Sequence, residues 1–160
     1  DAEFGRLDGL LHNAALFERL TPIANYDVEL WYQTLQVNLN APFLLTHAVL
    51  GLLNRSADAS IVFADDRVGE EGQAYWGAYA AAKGGIRPLM KLLASELETN
   101  TPIRVNSIDP GRVRTGLTLR AYPGREPAEW TDPEAILDAY LYLLGPDSRG
   151  VTGQTFRAQD

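Results

Sequence analysis

The 160-residue sequence contains no cysteine and only two histidines, His12 and His47. Without cysteine the chain can form no disulfide, use no thiol nucleophile and build no cysteine-ligated zinc site. Two histidines are too few for a histidine-based metal site, and we therefore expect no metal centre. The chemistry of this chain has to come from other side chains.

Basic clusters and long apolar runs are also missing. Lys and Arg number 14 against 21 Asp and Glu, which gives a formal net charge of −7. Nucleic acids and anionic membranes are bound through basic patches, so we expect neither as a partner. No apolar run is long enough to span a bilayer and no signal peptide is visible, which favours a cytoplasmic location. The first residue is Asp1 rather than Met, which favours a processed, trimmed or partial product.

What the sequence does contain is an alternation of apolar, strand-like runs with helical patterns. A chain of this length fits one domain with a real core, and we assign residues 1–160 to a single domain. Alternating strands and helices predict a parallel sheet with right-handed crossovers, and hence an α/β fold of about four strands flanked by helices. The strands are predicted at 7–11, 59–64, 103–108 and 151–158, and the helices at 26–55, 75–98 and 131–144. The first strand is expected to be buried on both faces.

Several residues inside the predicted helices are poor helix formers. Pro42 lacks an N–H and should kink or restart the helix that contains it. Gly84 and Gly85 cost helix stability unless a neighbour packs closely against them. Small residues on one face would allow a second helix to approach.

The segment 112–130 is rich in Gly, Pro, Arg and Glu and is interpreted as a mobile loop over a substrate. Either Thr131 or Asp132 is expected to cap the helix that follows it. The loop matches no specific pattern, so the sequence does not identify a substrate.

Polar or turn-forming residues follow three of the predicted strands. Asn13 follows the first strand, Asp66 the second, and Pro110-Gly111 the third. Ligands of parallel α/β sheets bind beyond the carboxyl ends of the strands. We therefore expect a binding site where these residues meet.

Tyr79 and Lys83 lie in the second predicted helix, four residues apart. That spacing places them on one helix face about one turn apart. An ammonium beside a phenol favours the phenolate and lowers the pKa of the tyrosine, which makes the phenol a usable proton donor. The alternative is an exposed helix pair without function, because Tyr-x-x-x-Lys alone is a weak pattern.

The segment 59–83 resembles the active-site segment of the short-chain dehydrogenases/reductases, the Rossmann-type NAD(P)-dependent oxidoreductases. His-Asn-Ala-Ala at 12–15 corresponds to the family's Asn-Asn-Ala-Gly, and Asp-Pro-Gly-Arg-Val-Arg-Thr at 109–115 to its Asn-Pro-Gly-x-x-x-Thr. Val-Asn at 37–38 and the closing strand at 150–156 agree as well. The resemblance covers nearly all 160 residues, but it maps them only onto the second half of the family's fold.

The resemblance implies a partial Rossmann-like three-layer sandwich that uses NAD or NADP. In that family Tyr79 would transfer the proton, Lys83 would lower its pKa and hold the ribose, and Asn38 would hold a water in the proton relay. Asn38 could instead satisfy backbone groups that Pro42 frees, and Asn13 could simply brace neighbouring strands. The cofactor contacts that the resemblance implies are Asn13, Ala14, Tyr79, Lys83, Pro110, Gly111, Val113 and Thr115.

The resemblance also implies a homo-oligomer, formed through the helices at about 26–55 and 75–98. In the family the second of these helices helps to form a bundle between subunits.

Asp66 departs from the family pattern. It stands thirteen positions before Tyr79, where the family has its catalytic serine. A serine hydroxyl donates a hydrogen bond to a substrate carbonyl, whereas an ionised carboxylate only accepts. Its charge would oppose a developing oxyanion and would raise the pKa of Tyr79. Asp66 is therefore a catalytic position with either altered chemistry or lost function.

No Gly-x-x-x-Gly-x-Gly loop, which would hold the cofactor's pyrophosphate, occurs in the sequence. Three explanations stay open: further chain beyond these 160 residues, a natural fragment, or a second polypeptide that supplies the missing half. We expect an oxidoreductase that moves hydride between NAD(P) and a carbonyl or alcohol, impaired in this chain. The alternatives are a degenerate family member with a structural or regulatory role, and a nucleotide-sensing module without turnover.

Overall fold

The computed structural model describes residues 3–159, and its centre is one parallel sheet of four strands in the order β1-β2-β3-β4. The strands are β1 Gly9–His12, β2 Ala59–Ala64, β3 Ile103–Asp109 and β4 Thr155–Arg157. The α-helices are α1 Val28–Leu35, α2 Ala41–Leu53, α3 Val68–Glu71, α4 Gly77–Leu97, α5 Gly116–Ala121 and α6 Leu137–Leu144. Short 3₁₀ turns lie at Ile23–Asn25, Pro127–Glu129, Pro133–Ile136 and Pro146–Ser148.

The predicted α/β class and the parallel sheet are confirmed. All three strand pairs are parallel, with Leu10 opposite Ile61 and Ile61 opposite Val105. The outer strands differ from the sequence prediction. The strand predicted at 151–158 forms ladder pairs only over Thr155–Arg157. The strand β1 was predicted to be buried on both faces, but its residues Gly9 and Leu11 are exposed.

The side chains of β2 explain the three-layer arrangement, because they alternate between two cores. Ile61 and Phe63 pack with Met90 of α4 in the larger core, which also includes residues of α2. Val62 faces the other side and packs with Leu143 of α6. The sheet is therefore covered by helices on both faces.

The helix predicted at 26–55 is interrupted, as Pro42 suggested. A π-helical segment, Gln36–Asn40, separates α1 from α2, and Pro42 lies in the first turn of α2, where its missing N–H costs little. The predicted loop 112–130 is not a continuous loop, because it contains α5 and a 3₁₀ turn. Asp132 precedes the next turn as its N-cap, but its side chain makes no capping hydrogen bond and pairs with Arg114 instead.

The two glycines of α4 admit segments of this same chain. A Cβ at Gly85 would lie 2.9 Å from a methyl carbon of Leu39 in the π-helical segment. A Cβ at Gly84 would lie 2.9 Å from the carbonyl oxygen of Gly69 in α3. The close approach inferred from these glycines is therefore intramolecular, and a second subunit is not needed to explain them. No helix within residues 3–159 is long and apolar enough to cross a membrane.

We expect Gly69→Ala to lower the free energy of unfolding by about 1–3 kcal/mol, the usual cost of overpacking. The new Cβ would lie 2.4 Å from the backbone nitrogen of Gly84 and 2.5 Å from the carbonyl carbon of Lys83, so backbone has to move. Gly51→Ala is the matched control, since Gly51 lies inside α2 and a Cβ added there would meet nothing within 4 Å. It should stabilise by up to about 1 kcal/mol through helix propensity. Urea unfolding of both variants measures the difference, and equal effects would contradict the close α3–α4 contact.

Candidate active site

A cavity of about 580 Å³ opens where β2 and β3 end. A binding site was predicted at this edge of the sheet. The cavity is lined by residues from both strand ends and from α4 and α6. Of the predicted site residues, the lining includes Asn13, Asp66, Tyr79, Lys83, Pro110, Gly111, Val113 and Thr115. Ala14 and Asn38 are not part of it.

Tyr79 is fixed near the start of α4 by aromatic packing. Its side chain is buried, with Phe17 edge-on at 5.6 Å between ring centroids and Trp76 at 5.5 Å. The phenol oxygen donates a hydrogen bond to Oδ2 of Asp66 at 3.2 Å. The phenol therefore reaches the cavity with its proton directed at a carboxylate.

Lys83 lies one turn further along α4, on the same side of the helix. Its Nζ donates a hydrogen bond to the carbonyl oxygen of Ala64 at 2.6 Å and lies 5.7 Å from the centroid of the Tyr79 ring. Both side chains line the cavity, as the four-residue spacing predicted. The alternative of an exposed helix pair is wrong, because both residues are buried.

Burial and neighbouring charges shift the pKa values of both Tyr79 and Lys83. Burial raises the pKa of the Tyr79 phenol well above its ordinary value, and the Asp66 carboxylate raises it further. Burial also lowers the pKa of Lys83, although nearby carboxylates oppose that shift. The net shift of the Tyr79 pKa is therefore upward, and the contribution of Asp66 has the direction that the sequence predicted.

Asp66 is held in place by the turn that leads from β2 into α3. Its Oδ1 accepts the backbone N–H of Val68 at 3.0 Å, which leaves Oδ2 facing Tyr79. Nη1 of Arg112 lies 3.7 Å from the same Oδ2. The Arg112 guanidinium is itself stacked over the ring of Tyr122, at 4.9 Å from the centroid. The carboxylate at the serine position is thus built into the site.

The neighbouring Asp65 plays a different part. Its carboxylate is buried, accepts the backbone N–H of Asp66 at 2.8 Å, and forms an ion pair with Arg87 at 2.7 Å. Burial raises the pKa of Asp65, and the hydrogen bonds from Arg87 and Asp66 counter that shift only in part. Asp65 therefore anchors the turn that presents Asp66.

Asn38 has a structural partner that neither sequence interpretation named. Its side-chain amide donates to the carbonyl oxygen of Leu16 and its Oδ1 accepts the N–H of Leu16, both at 2.7 Å. The amide braces the segment after β1, so the idea that it satisfies groups freed by Pro42 does not hold. Its relay role stays a prediction.

Several residues of the cavity wall were not singled out from the sequence. Arg112 was read only as a variable position in the motif at 109–115, and its stacking on Tyr122 depends on a fold that brings α5 to the cavity. The turn before α6 and α6 itself contribute apolar and aromatic wall residues: Ile136, Leu137, Tyr140, Leu141 and Leu144. The only sequence signal for these was the amphipathic pattern of the helix, which equally fits a core helix.

The described residues form no evident metal site. Within residues 3–159, no cluster of three or more His, Asp or Glu side chains is arranged to hold a metal ion.

Comparison with known proteins gives a consistent result. A family model described as enoyl-(acyl carrier protein) reductase matches residues 1–159. The uncharacterized oxidoreductase YciK of Escherichia coli K12 is 44% identical over 156 residues, which are 98% of this chain and 61% of that protein. A chain from Pseudomonas syringae described as a short chain dehydrogenase superposes with a TM-score of 0.96 at 51% identity, over 99% of this chain and 64% of that one.

A solved structure of a short chain dehydrogenase from Escherichia coli CFT073 is complexed with NADPH. It matches with a TM-score of 0.93 and 43% identity, over 99% of this chain and 65% of that one. This chain belongs to the short-chain dehydrogenase/reductase family. It spans a little under two thirds of the length of these relatives.

The residues present suit one end of a nicotinamide cofactor. The buried ammonium of Lys83 lines the cavity beside Tyr79, and the turn at Pro110–Gly111 forms another part of the cavity wall. These groups fit a ribose hydroxyl and an adjacent flat ring. No glycine-rich pyrophosphate loop occurs in the 160 residues, so the fit extends only to the nicotinamide end.

Proposed function

We propose that the protein transfers hydride between NAD(P) and a carbonyl or alcohol substrate, and that Asp66 weakens this reaction for carbonyls. One observation carries the proposal: the Tyr79 phenol and the Lys83 ammonium line the same cavity at the carboxyl ends of a parallel sheet. A bound reduced nicotinamide would supply the hydride. The proposal draws support from the relatives, one of which is solved with NADPH.

Each side chain has a distinct role in the proposed reaction. Tyr79 delivers or accepts the proton at the substrate, and Lys83 binds a hydroxyl of the nicotinamide ribose. Pro110, Gly111, Val113 and Thr115 form the wall against which the nicotinamide would lie. Asn13 lines the same cavity, whereas Ala14 and Asn38 would act from behind it.

Asp66 opposes a carbonyl substrate for two reasons. Its carboxylate accepts the phenol's hydrogen bond, so it competes with a carbonyl oxygen for the proton of Tyr79. Its charge also opposes the negative charge that develops on that oxygen as hydride arrives. We infer that turnover of carbonyls is slower than it would be with serine.

Titration of the protein at its natural full length with NADPH tests the cofactor assignment, with tryptophan fluorescence as the readout. Lys83→Met should weaken binding by about tenfold or more, because it removes a charged hydrogen-bond donor. Lys91→Met is the matched control, since Lys91 is an exposed lysine of the same helix. Equal affinities of the two variants would contradict the role of Lys83, and no binding by any form would contradict the proposed function.

A second candidate is a degenerate family member with a structural or regulatory role. The observation that favours it is the buried phenol, whose pKa is raised rather than lowered. It predicts no reduction of any imine or carbonyl whether or not NADPH binds, so a turnover assay separates the two.

A homo-oligomer formed through α1, α2 and α4 is proposed together with this function. It is supported by exposed apolar side chains on α2 and α4, namely Phe43, Leu44, Leu45 and Leu92. The single-domain assignment of residues 1–160 also stays a prediction; Asp1, Ala2 and Asp160 lie outside the described residues. A cytoplasmic location is proposed on the charge and hydropathy arguments alone.

A further inference from the structure

The reacting groups of the cavity present mostly hydrogen-bond acceptors to the position that a substrate would occupy. The Asp66 carboxylate is acceptor-only when ionised, and it already takes the proton of the Tyr79 phenol. The phenol oxygen retains acceptor capacity of its own. A carbonyl oxygen placed there would be a third hydrogen-bond acceptor, beside the carboxylate and the phenol oxygen, which already share one proton.

A protonated C=N group reverses this mismatch. Its nitrogen carries an N–H and a positive charge, so it can donate to the carboxylate of Asp66 in a charge-assisted hydrogen bond. The charge that opposes an oxyanion favours this cation. A carboxylate in place of a hydroxyl therefore changes which double bond the site complements.

The charges around the cavity are consistent with this reading. The negative charges of Asp66, Asp65 and Asp109 each raise the pKa of the Lys83 ammonium. Asp65 forms an ion pair with Arg87. Asp109 is a carboxylate at a position where the family motif has the neutral residue Asn. The second cation that faces Asp66 is Arg112, whose Nη1 is further from Oδ2 than the phenol oxygen is, at 3.7 Å against 3.2 Å. A substrate cation would thus compete with a loose ion pair rather than a close one.

We propose that the site takes a protonated imine, a C=N+ substrate, and reduces it to an amine. The proposal rests on the proposed hydride-transfer function and names the substrate class for that same site. It assigns Asp66 as the residue that binds the iminium nitrogen, with Tyr79 beside it as the proton-exchanging group.

The reaction balances with one reduced nicotinamide as the co-reactant. The iminium carbon gains a hydride from the reduced nicotinamide, and the π pair of the C=N bond becomes the nitrogen lone pair. The amine is then neutral, and the positive charge is carried by the oxidised nicotinamide. The proton on the nitrogen comes from solvent. If the imine binds in its neutral form, Tyr79 and Asp66 pass that proton to its nitrogen. Overall, an imine, a reduced nicotinamide and a proton give an amine and an oxidised nicotinamide.

Binding of matched ring compounds tests the proposal without turnover. We would titrate the full-length protein, free of cofactor and at neutral pH, with cyclohexylammonium against cyclohexanol and with cyclopentylammonium against cyclopentanol. Tryptophan fluorescence is a suitable readout, because Trp76 packs against Tyr79. At least one ammonium should bind about tenfold or more tightly than its alcohol. Equal affinity within both pairs, or no saturable binding of either ammonium, would overturn the proposal.

Two variants test whether Asp66 is the residue that causes the preference for the ammonium. Asp66→Asn should reduce the ammonium preference to about twofold or less, because it removes the charge and keeps the size of the side chain. Asp138→Asn removes a charge from the exposed face of α6 and should leave the preference unchanged. An equal loss in both variants would show a general charge effect and would overturn the assignment of Asp66.

Reduction assays complete the test and separate the two proposals. With NADPH, 2-methyl-1-pyrroline should be reduced faster than 2-methylcyclopentanone, and Asp66→Ser should shift the preference toward the ketone. If NADPH binds but no preference for the cation or imine is found, the substrate class is wrong and the hydride-transfer proposal survives. If NADPH does not bind, the proposed function itself fails.

Discussion

Replacing Tyr79 by phenylalanine should lower the rate of ketone reduction by about 10²–10⁴-fold, the range typical of a positioned general acid. The ring stays, so its packing against Phe17 and Trp76 is preserved. What is lost is the hydroxyl that lies on the cavity wall and donates a hydrogen bond to Asp66. Steady-state kinetics with NADPH and 2-methylcyclopentanone would measure the loss.

The effect of Tyr79→Phe has to be separated from loss of folding or of cofactor binding. Its NADPH affinity should stay close to that of the parent, because the proposed ribose contact belongs to Lys83. Tyr122→Phe is a useful control, since Tyr122 is a neighbouring aromatic whose ring packs at a tilt against Trp76, with the centroids 6.0 Å apart. A Tyr79→Phe protein with unchanged turnover would show that the phenol is not the proton donor.

Asp66→Ser should raise ketone reduction by between about tenfold and about 10³-fold. The upper value matches the usual contribution of one oxyanion-stabilising donor, which serine would restore. The substitution also removes the carboxylate that competes for the phenol's proton and raises the pKa of Tyr79. The measurement is kcat/KM for 2-methylcyclopentanone with NADPH in the parent and the variant.

The matched variant here is Asp66→Asn. It removes the charge without providing the hydroxyl, so an intermediate gain would assign part of the effect to repulsion and the rest to the missing donor. The turn should survive both changes, because the carbonyl oxygen of Asn and the hydroxyl of Ser can each accept the N–H of Val68 as Asp66 does. An Asp66→Ser rate equal to or below that of the parent would show that Asp66 is not the impairing residue.

The fold could be predicted from sequence wherever local pattern and tertiary environment agree. The apolar run of β2 is buried along its whole length, so burial and pattern point the same way. The apolar pattern of β1 predicted burial on both faces, but Leu11 is 39% exposed, because the sheet formed by residues 3–159 ends at that strand. Segment 112–130 was misread as a loop because its Gly and Pro residues flank a helix of only six residues.

The site was predictable to the extent that spacing fixes geometry. The four-residue separation of Tyr79 and Lys83 was enough to place both on one wall. The direction in which Asp66 shifts the pKa of Tyr79 was predicted, but the larger effect of burial was not, because no spacing gives the burial of a side chain. The role of Arg112 was invisible for the same reason, since its stacking on Tyr122 joins residues on either side of α5.

The central claim is hydride transfer from a nicotinamide to a carbon atom held in the Tyr79–Lys83 cavity. The most direct test is mass spectrometry of the product formed by the full-length protein from NADPH that carries deuterium at the transferable position of C4. Hydride transfer predicts one deuterium on the reduced carbon of the product and none on nitrogen or oxygen. A product that forms without deuterium, or no product from any imine or carbonyl although NADPH binds, would contradict the claim.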